Sequence, residues 1–356
     1  MPSRHSLIAA LLVSSPALLY LVYRMLQTKK TKGVKSSISE LIGSTPLLKL
    51  HSLSKETGCE IFAKVEFLNI GGSPKDRVAL ECIEQAEEQG LIKPNTGCTI
   101  FEGTVGSTGI SLATLARSRG YDCHIVMPDD IAQEKYNILQ SLGATIEKVR
   151  PCSIIDKNHY VNIARLRSAQ MNLAAIESES LENGFFCDQF NTTANFDAHF
   201  KNTGPEIYEQ TGCMIDAFVM GAGTGGTIAG VAAFLTSKIP DIEIVLADPQ
   251  GSGLYNKVKH GIMYNSMEAE GSRKRHQVDT IVEGIGNNRI TDNIGRALRY
   301  ITDAVTVRDD EAIEMSRYLM QNEGIFAGSS SAVNCIAAYR TAVRLGPGHR
   351  VVVMPN

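Results

Sequence analysis

An α/β fold of parallel sheets flanked by helices, preceded by an N-terminal transmembrane helix, is what this sequence predicts. Three observations carry that expectation. Short apolar runs of buried-strand type, such as His124-Ile125-Val126-Met127, Ile244-Val245-Leu246-Ala247 and Val351-Val352-Val353, alternate with helical stretches. That alternation is the pattern of βαβ units. A glycine-rich turn joins one such run, Asp216-Ala217-Phe218-Val219-Met220, to a helix start at Ile228-Ala229-Gly230-Val231. A stretch near the start of the chain, Ser6 to Tyr23, is mostly apolar, whereas the rest is of ordinary globular composition.

The N-terminal stretch comes first in the chain. Ser6 to Tyr23 is uncharged and mostly apolar. At about 1.5 Å per residue it reaches roughly 27 Å, close to the roughly 30 Å hydrocarbon core of a bilayer. Arg24, Lys29, Lys30, Lys32 and Lys35 follow it, and only Arg4 and His5 precede it. The positive-inside bias then leaves the bulk of the chain in the cytosol. A cleaved secretory signal would carry its basic residues in front, and a matrix presequence would be amphipathic and arginine-rich. A signal anchor over residues 6–23, in the style of outer mitochondrial membrane proteins, is the expectation, with the endoplasmic reticulum membrane as the alternative. Residues 1–36 are read as anchor and basic linker.

Next comes Asn69-Ile70-Gly71-Gly72-Ser73-Pro74-Lys75-Asp76-Arg77. It sets one lysine on a glycine-rich turn, outside the charged surroundings expected of a solvated lysine. An amine on a long stem forms imines readily, and burial lowers its pKa toward reactivity. Far downstream, Gly221-Ala222-Gly223-Thr224-Gly225-Gly226-Thr227 lies between the strand run and the helix start. Glycines let the main chain turn tightly, and the N–H groups, threonine hydroxyls and helix N-terminus can then hold a phosphate dianion. Taken alone, the string is equally compatible with a turn that binds nothing. It lacks the lysine of a P-loop and the position of a dinucleotide fingerprint. Paired with Lys75, it is what an enzyme needs to hold pyridoxal phosphate.

Several collinear motifs extend this pattern. They are Ile42-Gly43-Ser44-Thr45-Pro46, the segment Glu66 to Arg77, and Glu102-Gly103-Thr104-Val105-Gly106-Ser107-Thr108-Gly109. Asp188-Gln189-Phe190, Thr203-Gly204-Pro205-Glu206, the glycine loop, Glu283-Gly284-Ile285-Gly286 and Gly328-Ser329-Ser330-Ser331 continue it. From Ile38 to Asn356 the chain resembles the cysteine synthase and cystathionine β-synthase family, fold-type-II enzymes dependent on pyridoxal 5′-phosphate. The resemblance implies a two-lobed fold like the tryptophan synthase β chain. A smaller lobe would span residues 37–195 and a larger one residues 196–356, with the cofactor between them. It also implies a homodimer.

Carried over position by position, the resemblance makes Lys75 the Schiff-base lysine and the base for the substrate Cα proton. Gly223, Thr224, Gly225, Gly226 and Thr227 would bind the cofactor phosphate. Ser330 would face the pyridine nitrogen, where a neutral hydroxyl leaves a weaker electron sink suited to β-elimination and replacement. Thr104, Val105, Gly106, Ser107 and Thr108 would form the loop that grips the amino-acid carboxylate, with Gln189 closing from the other side. The family loop usually reads T-S-G-N-T. Ser107 therefore stands for the asparagine that touches the cofactor ring, and the Val105 side chain replaces a serine that reaches the carboxylate. Ala332 stands where a glycine is usual.

Other features have plainer readings. Asp76 and Arg77 read as a helix-start pair, and His199 and His260 as structural or surface residues. The charged insert from Met263 to Gln277 reads as a solvated helix or lid edge. Eight scattered cysteines lack any C-x-x-C or paired histidine spacing, so a metal site is not expected and reduced, mostly buried thiols are. Net charge is −3 with no basic stripe beyond the N-terminus, which argues against nucleic acid as a partner. The expected reaction makes L-cysteine from O-acetyl-L-serine or L-serine and sulfide. A cysteine desulfhydrase, releasing pyruvate, ammonia and sulfide, is the near alternative. A membrane-tethered, non-catalytic scaffold is the alternative of another class.

Overall fold

The strands form two sheets, the larger of which joins strands from both halves of the chain. The computed structural model describes residues 34–264 and 280–355. The expected membrane segment at 6–23 and nearly all of the charged insert lie outside the described residues. Among the described residues, no helix is long and apolar enough to cross a membrane.

In chain order the strands are β1 (Leu47–Lys49), β2 (Glu60–Lys64), β3 (Thr99–Gly103), β4 (Asp122–Pro128) and β5 (Thr145–Val149), then β6 (Gly184–Phe186), β7 (Ala217–Gly221), β8 (Glu243–Pro249), β9 (Asp303–Val307) and β10 (Arg350–Val353). One sheet runs β1-β2-β10-β7-β8-β9 and the other β5-β4-β3-β6. Only β1 pairs antiparallel, Leu48 lying opposite Ala63. All other pairings are parallel, as the alternation of strand and helix predicts. A cut at residue 195 would leave β1 and β2 with the four-stranded sheet. β2 pairs instead with β10, the last strand of the chain, and carries β1 on its other edge.

The strands are cored by strict alternation. Phe218 and Met220 of β7, Ile244 and Leu246 of β8, and Val352 of β10 pack on the helix Gly226–Lys238. Ala217, Val219, Val245, Val351 and Val353 face the opposite way, onto the helix Ser329–Leu345. Buried on both faces, such strands read as continuous apolar runs, which is why the sequence reveals them. The four-stranded sheet packs Ile100, Cys123, Ile125 and Met127 against the helices Lys75–Glu88 and Ser107–Arg119.

Both sheets belong to one unit, Leu41–Asn356. The preceding unit, Met1–Glu40, is described only from residue 34, where Glu40 accepts the Ser36 backbone N–H at 3.3 Å. Within the larger unit, β3 and β7 each end in a turn that opens a helix, the edge at which open parallel sheets bind ligands.

Candidate active site

Lys75 is the first residue of its helix, with Pro74 at the cap position. Proline's fixed φ suits a helix start, and the Ser73 hydroxyl accepts the Lys75 backbone N–H at 3.2 Å. Asp76 ties the turn down by accepting the Gly71 N–H at 2.6 Å and the Ser111 hydroxyl. A side chain at Gly71 would strike that carboxylate, its Cβ falling 2.3 Å from Oδ1. Arg77 points away into a buried cluster. It donates to both oxygens of Glu66 at 2.8 and 2.9 Å and to both oxygens of Glu206 at 2.8 Å, while Lys64 donates to Glu206 at 2.6 Å. Asp76 and Arg77 are thus fixing groups. Lys75 makes no ion pair among the described residues. It keeps part of its surface accessible, yet its surroundings desolvate the ammonium enough to push it down to about 8.

The glycine loop leaves β7 and opens the helix Gly226–Lys238. Gly225 holds φ +89°, and a side chain there would collide with Ile294, whose backbone N lies 2.6 Å from the ideal Cβ position. Gly226 sits against Asn195, with Oδ1 only 2.0 Å from its ideal Cβ. The N–H groups of this first turn have no intrahelical acceptor and are oriented for an anion. Asn195 Nδ2 donates to Thr224 Oγ1 at 2.9 Å, which leaves the Thr224 hydroxyl proton for a ligand. Thr227 Oγ1 bonds His199 Nε2 at 3.1 Å, and His199 Nδ1 bonds Thr203 at 2.9 Å. Burial, then the charges of Arg77 and Lys75, hold His199 neutral, well below its usual range.

The third part follows β3. Thr104 is buried, Val105 and Gly106 are partly covered, and Ser107, exposed, starts the helix Ser107–Arg119. Thr108 donates to Gln189 Oε1 at 2.6 Å. Gln189 is buried and aimed by Asp188, which holds φ +51°, a left-handed conformation that aspartate tolerates. Asn195 closes the circuit, donating also to the Gln189 carbonyl at 2.8 Å. One residue thereby connects the Thr104–Thr108 loop, through Gln189, to the glycine loop. Ser330 lies on the helix Ser329–Leu345, one turn ahead of Asn334. That asparagine accepts the Gly221 N–H at 2.8 Å, so this helix abuts the end of β7.

Sequence reading missed Asn195, Glu102 as a partner of Gln189, and the bridging role of His199. Asn195 and His199 lie within ten residues of Gln189, and no spacing rule marks them. Glu102 precedes the substrate loop, but its burial is a property of the sheet.

A family described as pyridoxal-phosphate dependent enzymes matches residues 38–355. The chain belongs to that family. Cysteine synthase 2 of Neurospora crassa is 57% identical over 89% of this chain and 70% of its own length. A Saccharomyces cerevisiae protein, provisionally named a mitochondrial cysteine synthase, is 49% identical over 98% of this chain and 87% of its own. Among solved structures, a hydrogen sulfide-producing enzyme from Fusobacterium nucleatum aligns with TM-score 0.72 at 28% identity, covering 90% of this chain and 97% of that one. For a pyridoxal-phosphate dependent enzyme the residues present fit the cofactor: a desolvated amine, and an anion cradle whose glycines leave no room for side chains.

Proposed function

We propose that the protein makes L-cysteine by β-replacement, joining sulfide to O-acetyl-L-serine or L-serine. The observation that carries this is the hydrogen-bonded circuit from Thr108 through Gln189 and Asn195 to Thr224, with Asp76, the neighbour of Lys75, bonded to Ser111 on the helix that bears Thr108. It joins a carboxylate-binding loop to a phosphate cradle around one reactive amine. The high identity to proteins named cysteine synthase supports the choice of reaction.

In this reading Lys75 holds the cofactor covalently, and Gly223, Thr224, Gly225, Gly226 and Thr227 hold its phosphate. Ser107 stands at the ring hydroxyl and Ser330 at the pyridine nitrogen. When bound, pyridoxal 5′-phosphate supplies the electron sink that lets the Cα proton leave and the β bond break. Everything else falls to the chain. First-turn N–H groups at Ser107 and Thr108, with Thr104, Val105, Gly106 and Gln189 around them, orient the amino-acid carboxylate. Lys75 Nζ, once the substrate amine has taken its place on the cofactor, would accept the Cα proton; with its pKa brought down to about 8, about a tenth of the free amine is neutral at pH 7, far more than for an ordinary lysine. The buried walls of Thr104, Thr108 and Gln189 exclude water that would compete with sulfide.

A second reading, cysteine desulfhydrase, is favoured by the likeness to the hydrogen sulfide-producing enzyme and by Val105, whose side chain offers the carboxylate no hydrogen bond. Purified holoenzyme given O-acetylserine with sulfide, serine with sulfide, and cysteine alone separates the two. Cysteine as product supports the synthase. Sulfide and pyruvate from cysteine, with O-acetylserine inert, would replace it by the desulfhydrase.

The proposed location is the mitochondrial outer membrane with the catalytic fold on the cytosolic side, and the proposed assembly is a homodimer. Support for the location comes from the apolar stretch 6–23 with its basic flank and from the mitochondrial name of the yeast relative.

A further inference from the structure

We infer that Glu102 is a positioning residue: through a buried latch, Glu102–Gln189–Thr108, it governs whether the Gln189 amide is free to reach the substrate carboxylate. This rests on the reading of Gln189 and the Thr104–Thr108 loop as the amino-acid carboxylate site.

The latch is uneven. Its outer half is tight, Thr108 Oγ1 donating to Gln189 Oε1 at 2.6 Å. Its inner half is loose. Gln189 Nε2 donates to Glu102 Oε1 at 3.4 Å and to the Gly103 carbonyl at 3.5 Å, beyond the usual range for such bonds. The Gln189 backbone N–H donates to Glu102 Oε2 at 3.3 Å. The amide oxygen is therefore held and the amide nitrogen, the group a carboxylate needs, is turned inward toward a carboxyl of zero exposure. The left-handed turn at Asp188 and the bonds from Asn195 and Asn293 to the Gln189 carbonyl fix the backbone, so only the side chain can respond.

What decides the inner half is the charge on Glu102. The groups around it are Asp188, Cys123 of β4, Cys187 after β6 and Tyr160, and none of them is a cation. Arg165 pairs with Asp188 at 3.2 Å, and Arg289 acts on Asp188 and Tyr160. Burial, then the Asp188 charge, raise the Glu102 carboxyl to about 8. Below that pH Glu102 is neutral, accepts weakly and lets the amide nitrogen turn to the substrate. Above it the carboxylate draws the same N–H groups by charge-assisted bonds and retains them.

The test compares wild-type holoenzyme with Glu102→Gln, reading KM and kcat for the amino-acid substrate from pH 6.5 to 9. In the wild type, KM is expected to rise about fivefold between pH 7 and 9, with a smaller change in kcat. In Glu102→Gln, which keeps the shape but not the titration, KM is expected to stay level across that range relative to wild type. Lys75 and the substrate amine titrate in both proteins, so they cancel from the comparison. Glu102→Ala, which removes the inner acceptor altogether, should likewise lose the rise in KM with pH, and a wild-type rise in that variant also overturns the inference. A Glu102→Gln enzyme with the wild-type rise in KM, or with kcat moving in place of KM, overturns the inference. If the wild type made no cysteine, the proposed reaction would fail. The same comparison, read as the pH dependence of the cofactor absorbance shift on adding L-serine, would still decide the latch.

Discussion

At Lys75 the surroundings that make the amine reactive also weaken the cofactor-free protein. Its ammonium is pushed from the ordinary lysine value of 10.5 to about 8 by desolvation alone. Below pH 8 the folded and unfolded chains both bind that proton, and the folded one bears the full desolvation penalty. Between 8 and 10.5 the unfolded chain binds more protons, so stability rises with pH there. Discounted for the part of the side chain that still meets solvent, the penalty is about 2 kcal/mol. Lys75→Met, similar in volume and uncharged, should stabilise the cofactor-free protein by that amount at pH 7 and lose the advantage by pH 10.5. Urea unfolding at the two pH values measures it, and equal stability of the two proteins at pH 7 would refute the assignment. The same variant should make no product. This lysine was legible because a glycine-proline turn is an unusual setting for a solvated one. Glu102 and Asn195 were not, since their importance comes from partners 87 and 29 residues away.

Among the elements, the helix Lys75–Glu88 is tied to its neighbours by charge. Arg77 and Lys64 together face Glu66 and Glu206, joining this helix to β2 and to the helix Gly204–Gln210. The two partners in the Lys64–Glu206 pair shift in ways that look discordant. Glu206 is held down to about 2 by Arg77 and Lys64, whereas Lys64 is lowered because desolvation outweighs its partner. The Glu206 direction is the firmer, because two cations donate to it at 2.6 to 2.8 Å. Its contribution is present above pH 4.5 and is lost as pH falls toward 2. Glu206→Gln should therefore cost about 3 kcal/mol at pH 7. The gap from wild type should close on acidification, as chemical unfolding at pH 7 and at pH 3 would show. The glycine loop fails differently. Gly225→Ala needs a left-handed alanine pressed against Ile294, so cofactor content on purification should fall severalfold, with a lower melting temperature. Full cofactor occupancy in that variant would mean the loop is not the cradle.

For the molecule as a whole, chain order and spatial order part company at β10. The last strand lies at the centre of the larger sheet, paired with β2 on one side and β7 on the other, and Val351, Val352 and Val353 have no exposed surface. The three valines were legible as a buried strand. Their central place was not, because it depends on β2, whose Lys64 and half-covered edge give it no clean apolar run. Burying each valine contributes roughly 1.5–3 kcal/mol, and removing β10 would also unpair the ladders of both neighbours. Against a typical total stability of about 5–15 kcal/mol, that loss exceeds what the fold can absorb. A chain ending at His349 should therefore fail to fold, with no cooperative melt and no bound cofactor. Removal of residues 1–36 should do the opposite, because both sheets and every candidate site residue lie within Leu41–Asn356. The shortened protein should keep the melting temperature and cofactor of the full chain and leave the pellet in an alkaline carbonate wash that retains the full chain. A full chain stripped by the same wash would overturn the anchor over residues 6–23 without bearing on the catalytic fold.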